Sequence, residues 1–497
     1  MENRNVLFII ADEFRADCLG AAGNHVIQTP NLDALAHESA LFEKCFVQAT
    51  PCGPSRMCIY TGRYLCAHNS VDNMTPLMDA EDNLAHHLRR HGHAPGFIGY
   101  NDYAMDPAIL PEGHPHRTGL CYDYFLPGFD VVLDHEYDSK EWYEDLRRKG
   151  YPPEMCCHEI MYYPNVPPEG PGEHLPEYYP AHYRAEDSEA QFVTSRAIDY
   201  CTERRGRGWF LSLNYIKPHG PNLCPAPYHD LYRHADLPTP YRCADELEGR
   251  HPYLSRFYTN ACDQLVSERE LREFQACYYG MITELDACLG RLFQALKDSG
   301  QWDHTLIIFT SDHGEHLGDH YLTGKAHYFD GNMRVPYLLR DPSPNADATR
   351  GKKLDVFCEA IDSAPTICAF LGVPPQERCQ GESLLGLVRG DPNAAAKPRI
   401  FHEFYYYNSL KESERNQCNP AACRLWVVRD DDYKYVQFGE EFLDPLLFDL
   451  KTDPGEMNNL AGRPEYAATV ARYAQHLIRW RIRNEDLRME HWARQYR

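Results

Sequence analysis

Basic charge is scarce in this chain of 497 residues: 50 lysines and arginines face 73 aspartates and glutamates, a formal net charge of -23. A surface of that sign repels nucleic acid and anionic membrane, which excludes a polyanion-binding role. Long hydrophobic runs are missing too, since none approaches the roughly 20 apolar residues that a membrane-spanning helix needs. The opening Met1-Glu2-Asn3-Arg4-Asn5 leads directly into the apolar residues 6–11, with no charged segment, long apolar stretch and small-residue cleavage site in succession. No signal peptide is therefore expected, and a soluble cytoplasmic protein is. The 19 cysteines fit no common zinc spacing: Cys156-Cys157, and Cys58 and Cys66, have no histidine pair in register. In a cytosolic chain they read as small buried residues or free thiols rather than disulfides. Internal repeats and low-complexity segments are not found.

What is present suffices for a large core. Hydrophobic residues make up 43% of the chain and aromatics 12%, and the length implies two or more lobes. Short apolar runs at residues 5–12, 94–100, 209–215, 305–310 and 335–339 read as buried parallel strands. Residues 32–42 and 271–296 read as helices. Such alternation predicts an α/β fold with a large mixed, mostly parallel sheet flanked by helices. Residues 107–186 are rich in Pro, Tyr, His and Gly, and read either as a surface excursion or as a wall over a pocket. After Pro398 the texture changes to short strands at 399–407, 425–429 and 433–438 and an amphipathic helix at 466–482. The expected division is a catalytic domain over residues 1–390 and a smaller C-terminal α+β lobe over 391–497.

Two of the apolar runs end in groups that bind metals. One ends in Asp12-Glu13, the other in Ser311-Asp312-His313-Gly314. In open parallel sheets ligands bind beyond the carboxyl ends of the strands, so these two ends are expected to converge. Asp12, Glu13, Asp312 and His313 would supply three carboxylates and an imidazole. That set suits one hard divalent cation, Mn²⁺, Ca²⁺ or Mg²⁺, with the imidazole leaning towards Mn²⁺. The sharpest motif is Thr50-Pro51-Cys52-Gly53-Pro54-Ser55-Arg56, continuing to Thr61-Gly62-Arg63. Pro54 suits the first turn of a helix and Gly62 its end. Cys52 would then sit at the positive helix end, with Arg56 one turn on and on the same face, an arrangement that activates a thiol.

Cys-x-Pro-Ser-Arg followed by Thr-Gly-Arg resembles the sulfatase signature of the alkaline phosphatase superfamily, with Tyr60 departing from the usual leucine. Further segments are similar to the same family: residues 5–12, Thr29-Pro30-Asn31-Leu32-Asp33, residues 309–314, residues 448–454 and Asn459-Leu460-Ala461. The resemblance implies the alkaline phosphatase/sulfatase-like fold, oxidation of Cys52 to formylglycine by a formylglycine-generating enzyme, and a homodimer or homotetramer. Within the family the chain is most similar to the phosphonate monoester hydrolases, through residues 280–286, Gln301-Trp302-Asp303, residues 306–314 and Tyr433-Lys434-Tyr435-Val436. Gly99-Tyr100-Asn101-Asp102 replaces the Gly-Lys-Trp-His of many arylsulfatases, and Tyr100 and Asn73 would take over contacts to the anion. Glu13 matches neither branch, and Tyr328-Phe329-Asp330 leans towards the sulfatases.

The implied activity is hydrolysis of sulfate monoesters, phosphonate monoesters and phosphate diesters, with a dedicated arylsulfatase as the alternative. A hydrated formylglycine is a geminal diol: one hydroxyl attacks sulfur or phosphorus, and loss of the other's proton releases the ester and restores the aldehyde. By the same resemblance, His219, after Lys217-Pro218, and Lys325, after Gly324, stand by the leaving-group oxygen, where a protonated side chain offsets developing charge. His327 takes no role and reads as surface. Arg56, Lys325 and the metal would form a local cationic pocket for a small anionic ester in an acidic protein. Two other readings stay open: a phosphoesterase or mutase using Ser55 or the Cys52 thiol, typically with two metals, and a scaffold that has lost its chemistry.

Overall fold

The apolar run that opens the sequence becomes the middle of a sheet. In the computed structural model, which describes residues 4–114, 117, 125–135, 139–257, 267–406 and 419–485, this run is β1 (Asn5–Asp12), buried at every position. The remaining strands are β2 (Ala40–Phe46), β3 (Ala49–Thr50), β4 (Pro95–Gly99), β5 (Asp130–Asp134), β6 (Phe210–Pro218), β7 (Thr305–Ser311), β8 (Tyr337–Arg340), β9 (Lys352–Glu359), β10 (Ile400–Tyr405), β11 (Arg424–Arg429), β12 (Tyr433–Phe438) and β13 (Leu446–Asp449). Eight of them form the main sheet in the order β5-β4-β6-β1-β7-β8-β2-β9. All its neighbours run parallel except β8, which is antiparallel to both β7 and β2.

Strand alternation sends side chains of β1 to two cores. Leu7, Ile9 and Ala11 pack on one face with Leu285, Leu289 and Leu292 of the long helix Glu268–Asp298. Val6, Phe8 and Ile10 pack on the other with Met57, Ile59 and Tyr60 of the helix Cys52–Thr61. Each of the valine, leucine, isoleucine, phenylalanine and methionine side chains among them, fully withdrawn from water, contributes about 1.5–3 kcal/mol. A sheet covered on both faces explains the unbroken apolar strands.

Two expectations need correction. Residues 32–42 are not one helix: the helix Pro30–His37 stops, and Ala40 opens β2. The buried helical face, Leu32, Leu35 and Ala36, ends at Glu38-Ser39, and Ala40-Leu41-Phe42 is a continuous buried run between β8 and β9. The run at 335–339 is not parallel. Only short turns and the helix Asp330–Met333 separate β7 from β8, so the chain re-enters at the end it left, pairing Thr310 with Tyr337. Residues 312–336 are numerous enough for a parallel return but hold no helix long enough to carry the chain back across the sheet.

The second sheet, β13-β12-β11-β10-β3, is the C-terminal lobe, covered by the helix Ala467–Asn484 through Tyr473, Leu477 and Trp480. The indole of Trp480 stacks on Phe401, with centroids 4.9 Å apart. Its edge strand β3 comes from the far N-terminal side and pairs in parallel with β10, two residues before Cys52. No described helix is long and apolar enough to cross a membrane. Parts of the 107–186 excursion, residue 407 of the expected strand at 399–407, and residues 486–497 of the expected C-terminal lobe lie outside the described residues.

What positions the site is the parallel block β4-β6-β1-β7. Its four strands finish at one edge and deliver Tyr100, His219, Asp12 and Asp312 there, each at or just past its strand's carboxyl end. Gly99 permits the closeness of β4 and β6: with φ +107, a Cβ there would lie 1.8 Å from the Asn214 carbonyl oxygen.

Candidate active site

Cys52 is the first residue of its helix, directly after Pro51, and Gly62 ends the helix in the left-handed conformation with its N–H donated to the Cys58 carbonyl. Every residue of this helix is buried. Polar side chains on it therefore need partners, and find them at the strand ends. Ser55 donates its hydroxyl to the Asp312 carbonyl oxygen. Gly53 donates its N–H to Asn73 Oδ1 over 2.9 Å. Arg56 donates from Nε to Asp312 Oδ2 (2.8 Å), from Nη2 to Asp12 Oδ2 (3.1 Å), and from Nη1 to Asn214 Oδ1 and the Tyr100 carbonyl (both 2.9 Å). Its guanidinium also lies 4.6 Å from the centroid of the Tyr100 ring.

These contacts change the role expected of Arg56. The side chain is fully buried and spends its charge on two carboxylates rather than on an open pocket. It braces one oxygen of each acid and leaves the other oxygens to the cluster. The second Asp312 oxygen accepts the backbone N–H groups of His313 (2.9 Å) and Glu13 (3.2 Å). Burial disfavours the Asp312 anion, but Arg56 overrides it and brings its pKa down to about 2. Asp12 goes the other way: burial and then the neighbouring Asp312 raise it well above the usual carboxylate range.

The cluster that remains joins Asp12, Cys52, Asp312 and His313, with one ligand atom from each, all within 4.8 Å of one another. His313 Nδ1 lies 2.9 Å from the Gly314 carbonyl, so it carries the ring proton. The Nε2 lone pair then faces Cys52 Sγ at 3.3 Å and Asp12 Oδ1 at 3.5 Å, the tautomer a metal ligand requires. Two carboxylates, an imidazole and the position-52 side chain suit a hard or borderline divalent cation. The raised Asp12 is the group whose charge such a cation would restore. Glu13 joins a separate, overlapping group with Asp12 and His219. Its backbone is left-handed, φ 66, a conformation non-glycine residues seldom adopt.

Lys325 reaches the same place from the connection between β7 and β8. Its Nζ donates to Cys52 Sγ over 2.7 Å and to His219 Nε2. The latter acceptor role follows from His219 Nδ1, which sits 2.6 Å from the Gly220 carbonyl and holds the imidazole proton. Enclosure, then the Lys325 ammonium, hold His219 well below the usual histidine range. The proton beside residue 52 thus belongs to Lys325, with His219 as its neutral acceptor. The expected activation of the Cys52 thiol is not found: burial and then Asp12 push it up, against Lys325. Ser55 is equally unavailable as a nucleophile, its hydroxyl being engaged by Asp312.

Asn73 caps the Cys52 helix, and Tyr100 floors a cavity of about 90 Å³ with Asp12 and His219. The other lining residues are His158, Tyr162, Ile216, Gly220 and Pro221. His158 and Tyr162 belong to the 107–186 excursion, which here is a wall. His327 is not at the surface: it is buried, with Nδ1 3.1 Å from the Tyr253 hydroxyl. Sequence reasoning missed Asn214 and Glu315. Asn214 holds Arg56 and the Tyr60 hydroxyl (3.0 Å), which accounts for a tyrosine at position 60. A lone asparagine inside the apolar run 209–215 was the available signal. Glu315 Oε1 accepts the N–H of Gly324 (2.6 Å) and of Leu317 (3.0 Å), tethering the loop that carries Lys325.

Comparison with known proteins bears on this arrangement. The sulfatase family profile matches residues 4–373, and the profile of the N-sulphoglucosamine sulphohydrolase C-terminal region matches residues 318–483. A multifunctional alkaline phosphatase superfamily protein of Trinickia caryophylli is 36% identical over 99% of this chain and 98% of its own length. The phosphonate monoester hydrolase of Agrobacterium radiobacter superposes with a TM-score of 0.88 at 34% identity, covering 97% of this chain and 96% of that one. That of Silicibacter pomeroyi gives 0.89 at 32% identity, covering 98% and 97%.

Proposed function

The chain belongs to the sulfatase family of the alkaline phosphatase superfamily, a family of ester hydrolases, and from that premise we propose that it hydrolyses sulfate monoesters, phosphonate monoesters and phosphate diesters with a formylglycine at position 52 and one divalent metal. The observation that carries the reading is the setting of Cys52: first in its helix, 3.3 Å from His313 Nε2 and 2.7 Å from Lys325 Nζ. Asp12, Asp312 and His313 would hold the metal, with Glu13 beside them. Bound there, the cation would act as a Lewis acid towards the ester oxygens and acidify a hydroxyl of residue 52, which as a hydrated aldehyde supplies a nucleophile that can expel its own ester.

The chain's own residues do the rest. Arg56 fixes both carboxylates and so the geometry of the ligand set. His313 keeps its proton on Nδ1, leaving Nε2 as donor. Lys325 supplies the positive charge at the face where residue 52 meets substrate, answering how an acidic protein admits an anion. It also holds a proton at Nζ, within reach of an oxygen leaving on that side, while His219 Nε2 accepts a second N–H of the same ammonium and keeps it aimed. Asn73 holds the helix end at Gly53.

The phosphonate branch is favoured over a dedicated arylsulfatase because two phosphonate monoester hydrolases match over nearly the whole chain at 32–34% identity, while an arylsulfatase of Clostridium perfringens is 26% identical. The test is kcat/KM for an aryl sulfate, a phosphate diester and a phosphonate monoester on one metal-loaded preparation. All three are expected to turn over, with the phosphonate monoester at the highest kcat/KM. Turnover of the sulfate alone would transfer the protein to the arylsulfatase reading.

A further inference from the structure

The cavity beside His219 has a composition of its own. Its inner end is the buried Asp12 and Tyr100 with His219 beside them, the end at which the proposed function places the ester. Its sides are Tyr162 and Ile216, and its open lip is His158, Gly220 and Pro221. Among the described lining residues the only acidic or basic side chains besides the tyrosines are Asp12, the neutral imidazole of His219, and His158 at the lip. A leaving alcohol that carries an ammonium or a carboxylate would find no partner along the walls, and a polyol would find few donors.

The wall is also braced. The Tyr162 hydroxyl lies 2.7 Å from Ser139 Oγ, and Trp142 meets the Tyr162 ring edge-on at 5.7 Å. The His158 ring lies 4.8 Å from it on the outer side. Tyr162 is thus held as a fixed aromatic surface, which pairs with another ring in an offset or edge-on arrangement. Size narrows the choice further. The cavity of about 90 Å³ is smaller than the about 150 Å³ of a closed cavity that takes benzene. It is open at the lip, so one ring would enter with an edge left in water, and a fused pair would not.

We propose that this cavity is a leaving-group subsite that takes an uncharged, single-ring aromatic alcohol, with Tyr162 and Ile216 as specificity-determining residues. The proposal rests on the reading that residue 52 attacks the ester and that the alcohol departs on the His219 and Lys325 side. Tyr162 then discriminates through ring contact and Ile216 through apolar contact with the opposite face.

The test uses the metal-loaded enzyme and two phosphonate monoesters, one with a phenyl leaving group and one with a fluorinated alkyl leaving group of matched acidity, so that chemistry is held constant and shape varies. In Tyr162→Ala the phenyl-to-alkyl ratio of kcat/KM is expected to fall about tenfold, the scale of one lost ring contact. In Ile216→Ala, at a half-buried position that folding tolerates more readily, it should fall about threefold. Tyr162→Phe keeps the ring and should keep the ratio. Ratios that stay at the wild-type value in both alanine variants, with both esters still hydrolysed, overturn the subsite and leave the proposed function standing. A wild-type enzyme that hydrolyses neither ester overturns the reading of the site itself, and the subsite with it.

Discussion

Asp312→Asn is expected to remove metal binding and turnover together, lowering kcat/KM by at least about 10⁴-fold, the scale of losing Lewis-acid assistance and the order it imposes. Asp312 commits three of the about four lone-pair sites of its carboxylate to hydrogen bonds. One oxygen takes Arg56 Nε at 2.8 Å and the other takes the N–H groups of His313 and Glu13. An asparagine of the same shape must turn an NH₂ towards either the guanidinium or the two backbone N–H groups, donor against donor. It also deletes one of only two carboxylates in the four-atom cluster. Metal content by elemental analysis and turnover, measured on the same sample, decide the matter. Activity near wild type in metal-free Asp312→Asn protein would mean that the chemistry lies elsewhere.

Arg56→Met is expected to destabilise the metal-free protein by about 3–5 kcal/mol, the cost of breaking a buried ion pair from one side. The guanidinium is fully buried and binds both Asp12 and Asp312. Without it, two carboxylates face each other in a site that already raises Asp12. One of them must take up a proton or the site must open. Equilibrium denaturation in chelator should show the loss. Saturating Mn²⁺ or Ca²⁺ should recover part of it, because the cation replaces the missing positive charge. A loss below about 1 kcal/mol, unchanged by metal, would show that Arg56 does not hold the carboxylates together.

The parts of the site legible in the sequence were those written locally. The runs ending in Asp12 and Asp312-His313 announce ligands at strand ends, and Pro54 and Gly62 bracket a helix that starts at Cys52. The family signature then assigns chemistry to the cysteine. What could not be read depends on contacts distant in sequence. Arg56 finds partners 44, 158 and 256 positions away, so its conversion from pocket cation to carboxylate brace follows only from the fold. Where the Lys325–His219 pair keeps its proton depends on one carbonyl, that of Gly220. The direction of β8 depended on the chain between β7 and β8 lacking a crossover helix, which apolar pattern alone does not reveal. His327 looked external because an isolated histidine usually is, and the aromatic surroundings that bury it come from Tyr253 and the C-terminal lobe.

The unactivated thiol sharpens the account rather than weakening it. A buried cysteine among two acids is a poor nucleophile, and Ser55 is committed to a carbonyl. If the site is catalytic, the cysteine must become something else. The most direct measurement is the mass of the peptide Cys45 to Arg56 from active protein made in a host with a formylglycine-generating enzyme. The account predicts a species lighter than the cysteine peptide by the exchange of thiol for aldehyde, reactive towards a hydrazide, in an amount that tracks specific activity. Fully active protein whose peptide carries only the thiol would contradict it.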